Sequence, residues 1–174
     1  KKVINLFENC PNSKLLTEYI NTINIFDYLD KNKYTYKIFK YNFDIITEHL
    51  FTNIDFDEYK FIITGDVIKD SIFKNLTNDR YYYLNQQQTI DIYFYDKNYN
   101  KLIKYLEKRL HYKFEIYENQ TYIYIKLEYP YKNIRIYKTL YKSKSHILHY
   151  ISVYSNAIGY DNNKNRIKKL SKGI

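Results

Sequence analysis

The sequence predicts a single α+β domain, in which helices flank a mixed sheet and a mainly helical segment stands at the N-terminus. Short β-rich runs such as Thr89–Tyr95 alternate with helical patterns such as Asn98–Leu110. The 174 residues are 45% hydrophobic and 27% charged, which is typical of one domain with a buried core. No internal repeat or interdomain linker interrupts these patterns, so we expect one folding unit.

Residues 1–58 are predicted to be the mainly helical segment, packed on the core. Ser13 can cap a first helix, because a hydroxyl at this position accepts hydrogen bonds from the first turn. A second helical stretch places Phe43, Ile46 and Leu50 on one side, and His49 then lies on a helix surface. We find no chemical motif in this segment.

Residues 59–162 are predicted to be the core, which begins with the apolar run Phe61–Ile63 and the turn Thr64-Gly65. Helical spacing follows over Asp66–Phe73, and then a polar loop that contains Tyr81–Tyr83. Later elements are a strand over Thr89–Tyr95, a helix over Asn98–Leu110, a hairpin of Phe114–Tyr117 and Thr121–Leu127, a strand over Ile134–Lys138, a short helix over Lys142–Leu148 and a buried segment over Tyr150–Ile158.

The net charge of +9 lies in the C-terminal quarter, where ten basic residues and one acidic residue follow Glu128. A basic surface can hold RNA or DNA through phosphate contacts, whereas the alternative is a solvated basic tail over residues 163–174. The candidate nucleic-acid-binding residues are Lys164, Arg166, Lys168, Lys169 and Lys172.

Several classes of protein are excluded. The apolar runs of these 174 residues are shorter than the roughly 18 residues of a membrane span, and none has the form of a signal-peptide h-region, so we expect no membrane association. Cys10 is the only cysteine, which excludes a disulfide framework and a cysteine-based zinc site. A reducing compartment, the cytoplasm, is the natural expectation.

Nucleotidyl transfer uses two divalent ions about 3.5–4 Å apart. Two carboxylates at i and i+2 on one strand hold them, because this spacing points both side chains to one face. A third carboxylate comes from a neighbouring strand, and a Gly-Gly or Gly-Ser turn that opens a helix binds the triphosphate through backbone N–H groups. The sequence offers IITGD (Ile62–Asp66) and TIDIYF (Thr89–Phe94) as the corresponding pieces.

The strongest pattern is IRIY (Ile134–Tyr137), followed by YKSKSHILHYIS (Tyr141–Ser152) and NAIGYD (Asn156–Asp161). With these pieces the chain resembles the nucleotidyltransferase-fold proteins of large DNA viruses, over roughly Tyr59 to Asn162. That family has a strand of the type (I/V)QII, then YKSxSEhLHGFD and CChGYD. The resemblance implies a nucleotidyltransferase-like fold and a viral source, with the host cytoplasm or the virion as the location.

The departures from that family define the candidate site. The resemblance puts the phosphate-binding turn on Gly65-Asp66, the paired carboxylates on Thr89 and Asp91, and the third carboxylate on Ser152. Asp91 is then the one remaining metal ligand and remnant catalytic residue. Such a site implies no cofactor or weak Mg²⁺ binding, since Mg²⁺ takes several oxygen ligands. Asp66 would also oppose a triphosphate by roughly 1–4 kcal/mol for each pair of like charges at about 4 Å.

These residues also have ordinary structural interpretations. Asp91 is equally explained as a strand-end carboxylate paired with a lysine, and His149 and Asp161 are better explained as a structural hydrogen bonder and a turn cap. The cluster Tyr81–Tyr83 can stack bases but is more simply a product of the 24 tyrosines. Lys101, Lys104 and Lys108 form a solvated helix face.

The sequence therefore favours a catalytically degenerate nucleotidyltransferase-like protein that binds a protein partner in a larger protein or ribonucleoprotein assembly. One alternative is an active metal-dependent nucleotidyltransferase in which Asp66 or Asp96 helps Asp91. The other is a nucleic-acid-binding module that uses the basic C-terminal quarter.

Overall fold

The computed structural model describes residues 22–74, 88–95, 99–111, 113–151, 158–161 and 167–170. Within these ranges the strands are β1 (Thr22–Asn24), β2 (Phe61–Thr64), β3 (Thr89–Tyr95), β4 (Glu115–Glu118), β5 (Tyr122–Lys126), β6 (Asn133–Tyr141), β7 (Ile158–Tyr160) and β8 (Ile167–Leu170). They form one mixed sheet in the order β1-β8-β7-β2-β3-β6-β5-β4. The pair β3–β6 is parallel, whereas the other neighbouring pairs are antiparallel.

The described helices are α1 (Tyr36–Ile46), α2 (Phe56–Tyr59), α3 (Asp66–Phe73), α4 (Asn100–Leu110) and α5 (Lys144–Ile151). Thr35 caps α1, because its hydroxyl accepts a hydrogen bond from the backbone N–H of Ile38 at 3.2 Å. Helix α1 ends at Ile46, and two residues with positive φ, Glu48 and His49, follow it. The prediction that His49 lies on a helix surface is therefore wrong, because His49 lies in the turn that follows α1.

The two faces of the sheet bury different side chains, because successive residues of a strand point to opposite faces. Ile90, Ile92 and Phe94 of β3 belong to the larger apolar core, which includes the buried apolar residues of α1, α3 and α4. Tyr93 and Tyr95 belong to a smaller cluster on the other face, together with Ile147, Leu148 and Ile151 of α5. Helix α5 thus packs on the face of the sheet that carries Tyr93 and Tyr95, opposite the face that carries the larger core.

Tyr160 lies at the centre of the larger core. Its ring centroid is 4.8 Å from that of Phe39 and 4.9 Å from that of Phe43, both in edge-to-face arrangements. Its hydroxyl is satisfied by a 3.0 Å hydrogen bond with the hydroxyl of Tyr36. The tyrosine of the Gly-Tyr-Asp sequence is therefore a core residue that joins β7 to α1.

The predicted α+β class, with a mixed sheet and flanking helices, is confirmed. The strand over Thr89–Tyr95 and the helix over Asp66–Phe73 have their predicted bounds. The apolar run at Phe61 is a strand, and the helix predicted to end at Leu110 begins two residues later than expected, at Asn100. The hairpin is also present, as β4 and β5.

Other expectations need correction. The N-terminal segment contains strand β1, and the segment 163–174, expected to be a basic tail, contains strand β8. These two strands pair with each other, so both ends of the described part of the chain extend the sheet. The short helix predicted over Lys142–Leu148 runs from Lys144 to Ile151, and it takes up the start of the buried segment predicted over Tyr150–Ile158.

The helix expected after Ser13 and the cluster Tyr81–Tyr83 lie outside the described residues. Among the helices that are described, none has the length and apolar character needed to cross a bilayer.

Candidate functional site

A cavity of about 330 Å³ opens on the α5 face of the sheet, where β2 turns into α3. The turn and the first part of α3 provide one wall, and Asp91 and Tyr93 of β3 provide the next. The described lining residues are Thr64, Gly65, Asp66, Lys69, Asp91, Tyr93, Thr121, Tyr137, Thr139, Tyr141, Tyr150, Ile151 and Ile158. The fold thus brings together three predicted site residues, Gly65, Asp66 and Asp91.

The Gly65 backbone lies directly against the Asp91 carboxylate. Asp91 is opposite Thr64 in the antiparallel β2–β3 pair, which places the following glycine beside the side chain of Asp91. Gly65 has φ +98°, a conformation that favours glycine, and a Cβ atom there would lie 3.0 Å from Asp91 Oδ2. Glycine is therefore required both for the turn into α3 and for the space that the carboxylate fills.

Arg135 of β6 faces Asp91 from the other side, because the two residues are partners in the parallel β3–β6 pair. Its Nη1 atom is 3.7 Å from Asp91 Oδ1, too far for a hydrogen bond but close enough for an ion pair. Asp91 Oδ1 is buried and has no hydrogen-bond partner in the part of the protein that the structure describes. The side chain as a whole is 23% exposed and borders the cavity, so the carboxylate meets the cavity with one oxygen atom that is buried and lacks a hydrogen bond.

Burial raises the pKa of Asp91 to about 6. The positive charge of Arg135 lowers this pKa, and the negative charge of Asp66 raises it further. A proton is therefore held more tightly than on an exposed aspartate. At neutral pH the carboxylate is mainly ionised and is stabilised chiefly by the guanidinium of Arg135.

Four tyrosines, Tyr93, Tyr137, Tyr141 and Tyr150, line one side of the cavity and form its tyrosine wall. The rings of Tyr93 and Tyr137 stack with centroids 4.3 Å apart and planes within 6°. Tyr141 contacts Tyr93 edge-to-face at 5.8 Å, and Tyr150 lies 5.6 Å from Tyr141. Burial raises the pKa of Tyr93 and that of Tyr141, so these phenols stay neutral and can both donate and accept hydrogen bonds.

The resemblance assigns the other two metal-ligand positions to Thr89 and Ser152. Neither residue brings a further carboxylate to the described site. Thr89 stands two residues before Asp91 on β3, whereas Ser152 and Asp96 lie outside the described residues. Within the described ranges, no group of three or more His, Cys, Asp or Glu side chains is arranged to hold a metal ion. Asp91 and Asp66 are the acidic residues among the described lining residues.

The other candidate residues that the structure describes are not among those that line the cavity. Asp161 is buried and forms an ion pair with Lys144 Nζ at 2.8 Å, where a turn cap was expected. His149 is half-buried in α5. Lys101 of the helix face pairs with Glu58 at 2.6 Å. Lys168 and Lys169 lie in β8, whereas the other candidate nucleic-acid-binding residues, Lys164, Arg166 and Lys172, fall outside the described residues.

Sequence reasoning missed Arg135 and the tyrosine wall. Residues at i and i+2 of a strand share a face, and this spacing relates Tyr93 to Asp91 and Tyr137 to Arg135. That signal would have placed both tyrosines beside the acidic side chain once β3 and β6 were known to be neighbours. The pairing of β3 with β6, however, is a long-range contact that no local pattern reveals.

No protein-family model, curated protein or solved structure matches this chain. What its fold and cavity define is an α+β protein with a tyrosine-walled cavity, in which one partly buried carboxylate faces a guanidinium.

Proposed function

We propose that the chain is a catalytically degenerate nucleotidyltransferase-like protein that acts as a binding subunit of a protein or ribonucleoprotein assembly. A viral source, with the host cytoplasm or the virion as location, is part of this proposal and rests on the sequence resemblance alone. From the Gly65 turn region onward the described chain runs strand, helix, strand, helix, hairpin and strand (β2, α3, β3, α4, β4–β5 and β6), and β6 pairs in parallel with β3. This order, with the turn next to Asp91, supports descent from an enzyme of that kind.

The observation that carries the proposal is the surroundings of Asp91. A two-ion site needs several carboxylates, and here the carboxylate faces a guanidinium whose Nη1 atom is 3.7 Å away. A divalent ion at Asp91 would be repelled by that fixed positive charge and would find few other oxygen ligands. The arrangement therefore supports a role in binding, with hydrogen bonds to Asp91 and contacts to the tyrosine wall.

Asp66 supports the same conclusion. It is the first residue of α3, at the end of the helix where an enzyme of this kind would bind the triphosphate. Its carboxylate and that of Asp91 both border the cavity. Two negative charges beside a highly charged triphosphate disfavour binding, whereas a neutral or cationic group is accepted.

The active enzyme remains the second candidate, because Asp66 and Asp91 line one cavity and could share a single metal ion. Incubation with radiolabelled nucleoside triphosphates and Mg²⁺ or Mn²⁺ separates the two proposals. We expect no transfer of label to RNA, protein or a small hydroxyl compound. Transfer that is lost in Asp91→Ala, but retained in the exposed surface variant Asp30→Ala, would replace the binding role with catalysis.

A gain-of-function variant tests whether restoring the lost carboxylate and removing the guanidinium re-creates a metal site at Asp91. Thr89→Asp restores the i, i+2 pair of carboxylates, and Arg135→Gln removes the guanidinium that competes with a metal ion. We expect the double variant to bind Mn²⁺ at least about tenfold more tightly than the natural sequence, measured by titration calorimetry. Equal Mn²⁺ affinity in the two proteins would contradict an ancestral metal site at this strand.

A further inference from the structure

A second and larger depression, of about 810 Å³, lies between α1 and α3 and is separate from the Asp91 cavity. We call it the lysine-rimmed groove. The buried residues Asn42 and Ile72 form its floor, and Ile38, Tyr41 and Phe73 form its walls. The groove therefore follows two helices and presents an apolar surface along them.

The side chains that form the walls are unusually exposed to solvent for large apolar residues. Ile38 is 44% exposed, Tyr41 59% and Phe73 44%. Tyr34 supports Phe73 from the side, with an edge-to-face contact at 5.3 Å. An exposed apolar patch in a concave surface marks an interaction site, because its burial by a partner releases water from all these side chains at once.

The two walls are fixed relative to each other. The buried Asn42 of α1 donates hydrogen bonds from Nδ2 to the carbonyl oxygens of Ser71, at 3.0 Å, and Lys74, at 3.3 Å. These bonds link α1 to the end of α3. A partner would therefore meet a groove that is already formed, which lowers the ordering cost of binding.

The charge of the groove selects the partner. Lys33, Lys37 and Lys74 border it, and its described lining contains no acidic residue. In contrast, Lys40 on the same helix is neutralised by Asp44 at 2.7 Å. Three lysines around an apolar floor complement a partner that has apolar side chains on one side and carboxylates on the flanks.

We propose that the lysine-rimmed groove binds an acidic amphipathic helix of a protein partner. Helix α1 has 11 residues, so it offers a wall of roughly 16 Å, which matches about three turns of a docked helix. Apolar residues at i, i+3 or i+4 and i+7 would contact Ile38, Tyr41 and Phe73. This inference names the partner of the proposed binding subunit, but it concerns a different surface, and its test is independent of label transfer.

The test uses the full chain and a fluorescent helical peptide of about 14 residues, with leucine at helical spacing and glutamate elsewhere. We expect saturable binding by fluorescence anisotropy. Ile38→Ser should weaken it at least about tenfold, whereas Ile116→Ser should leave it unchanged. Ile116 is the matched control because it is 45% exposed and lies on β4, far from the groove in the order of the sheet.

Charge is tested in the same assay. Lys37→Glu should weaken binding of the acidic peptide, and Lys104→Glu on the exposed face of α4 should not. A peptide with lysine in place of glutamate should bind at least about tenfold more weakly than the acidic one. Equal binding of both peptides, or full displacement of the acidic peptide by a polyuridine RNA, would overturn the proposal.

The chain's own N-terminal residues are the competing occupant, and the native Cys10 gives a direct way to detect them. Tyr41→Cys introduces a thiol in the groove, and Tyr117→Cys introduces one at a similarly exposed position on β4. Under mild oxidation we expect no faster intramolecular disulfide formation with Cys10 in the first variant than in the second. Selective crosslinking of Tyr41→Cys would show that residues near Cys10 fill the groove, and it would overturn the proposal.

Discussion

At the scale of single residues, the protonation of Asp91 depends on residues of other elements around it. The place of Asp91 on a strand was predicted from the alternating pattern of Thr89–Tyr95, whereas its closeness to Gly65 depends on the pairing of β2 with β3 and was implied only by the resemblance. Its electrostatic state was not predictable, because that state depends on Arg135, which lies 44 positions later in the chain and adjacent in the sheet. Burial and this guanidinium together decide how tightly the carboxylate holds a proton.

The raised pKa of Asp91 predicts a pH dependence of stability. The folded protein holds this proton up to about pH 6, whereas the unfolded chain releases it near the ordinary aspartate pKa of 3.8. The native state binds more protons between these values, so its stability falls as the pH rises through this window, by an amount on the order of 2–3 kcal/mol. Urea unfolding from about pH 4 to pH 7 measures this loss.

Asp91→Asn removes the titrating group, so its stability relative to the natural sequence should increase as the pH rises from about 4 to about 6. Asp30→Asn controls for the loss of an exposed negative charge. A difference between Asp91→Asn and the natural sequence that stays constant over this window would contradict a buried, proton-holding carboxylate.

At the scale of elements, the Gly-Tyr-Asp sequence, which carries much of the resemblance, has structural roles. A Cβ on Gly159 would lie 2.9 Å from Ile62 Cδ1, so glycine lets β7 approach β2 and α5 closely. Tyr160 fills the core. Asp161 forms the buried ion pair with Lys144 at the start of α5, and Lys144 also pairs with Asp57 of α2. This sequence thus joins β7, α5 and α2.

Lys144→Met should lower the free energy of unfolding by about 3–5 kcal/mol, because it leaves the fully buried Asp161 carboxylate without its ion pair to Lys144. Chemical denaturation measures the loss. Lys101→Met is the matched control: it also removes an ion pair, but both partners are largely exposed, so we expect almost no change in Tm.

The double variant Lys144→Met/Asp161→Leu distinguishes two causes of the lost stability: the buried charge of Asp161 without its ion pair to Lys144, and the loss of packing by the lysine side chain. It should recover much of the stability that the single variant loses, since the buried Asp161 carboxylate, deprived of its ion pair to Lys144, is removed as well. If the double variant is less stable than Lys144→Met alone, the ion pair is not the main contribution of these two residues.

At the scale of the whole molecule, the two ends of the described chain meet in the sheet. Strand β8 lies between β1 and β7 and pairs with both, so the basic C-terminal segment supplies an internal strand. A test of nucleic-acid binding by deletion of residues 163–174 would therefore remove part of the fold together with the charges. Substitution of the lysines is the cleaner test of that alternative.

Deletion of residues 163–174 should destabilise the sheet itself. The amides of Ile158–Tyr160 that pair with β8 lose their partners, so hydrogen exchange in β7 should accelerate strongly. Lys168→Gln/Lys169→Gln keeps the backbone of β8 and should preserve the protection of β7. Unchanged exchange in β7 after the deletion would show that β8 contributes little to the fold.

The sequence by itself determined the α+β class and the alternation of strands and helices from Phe61 onward. These features follow from local periodicity and turn chemistry, which neighbouring residues encode. Only the tertiary structure decided that Arg135 neutralises Asp91, that tyrosines from three elements wall the cavity, and that the basic end of the chain forms an internal strand. The physical reason is that these contacts join residues far apart in the chain, where no local pattern constrains the pairing.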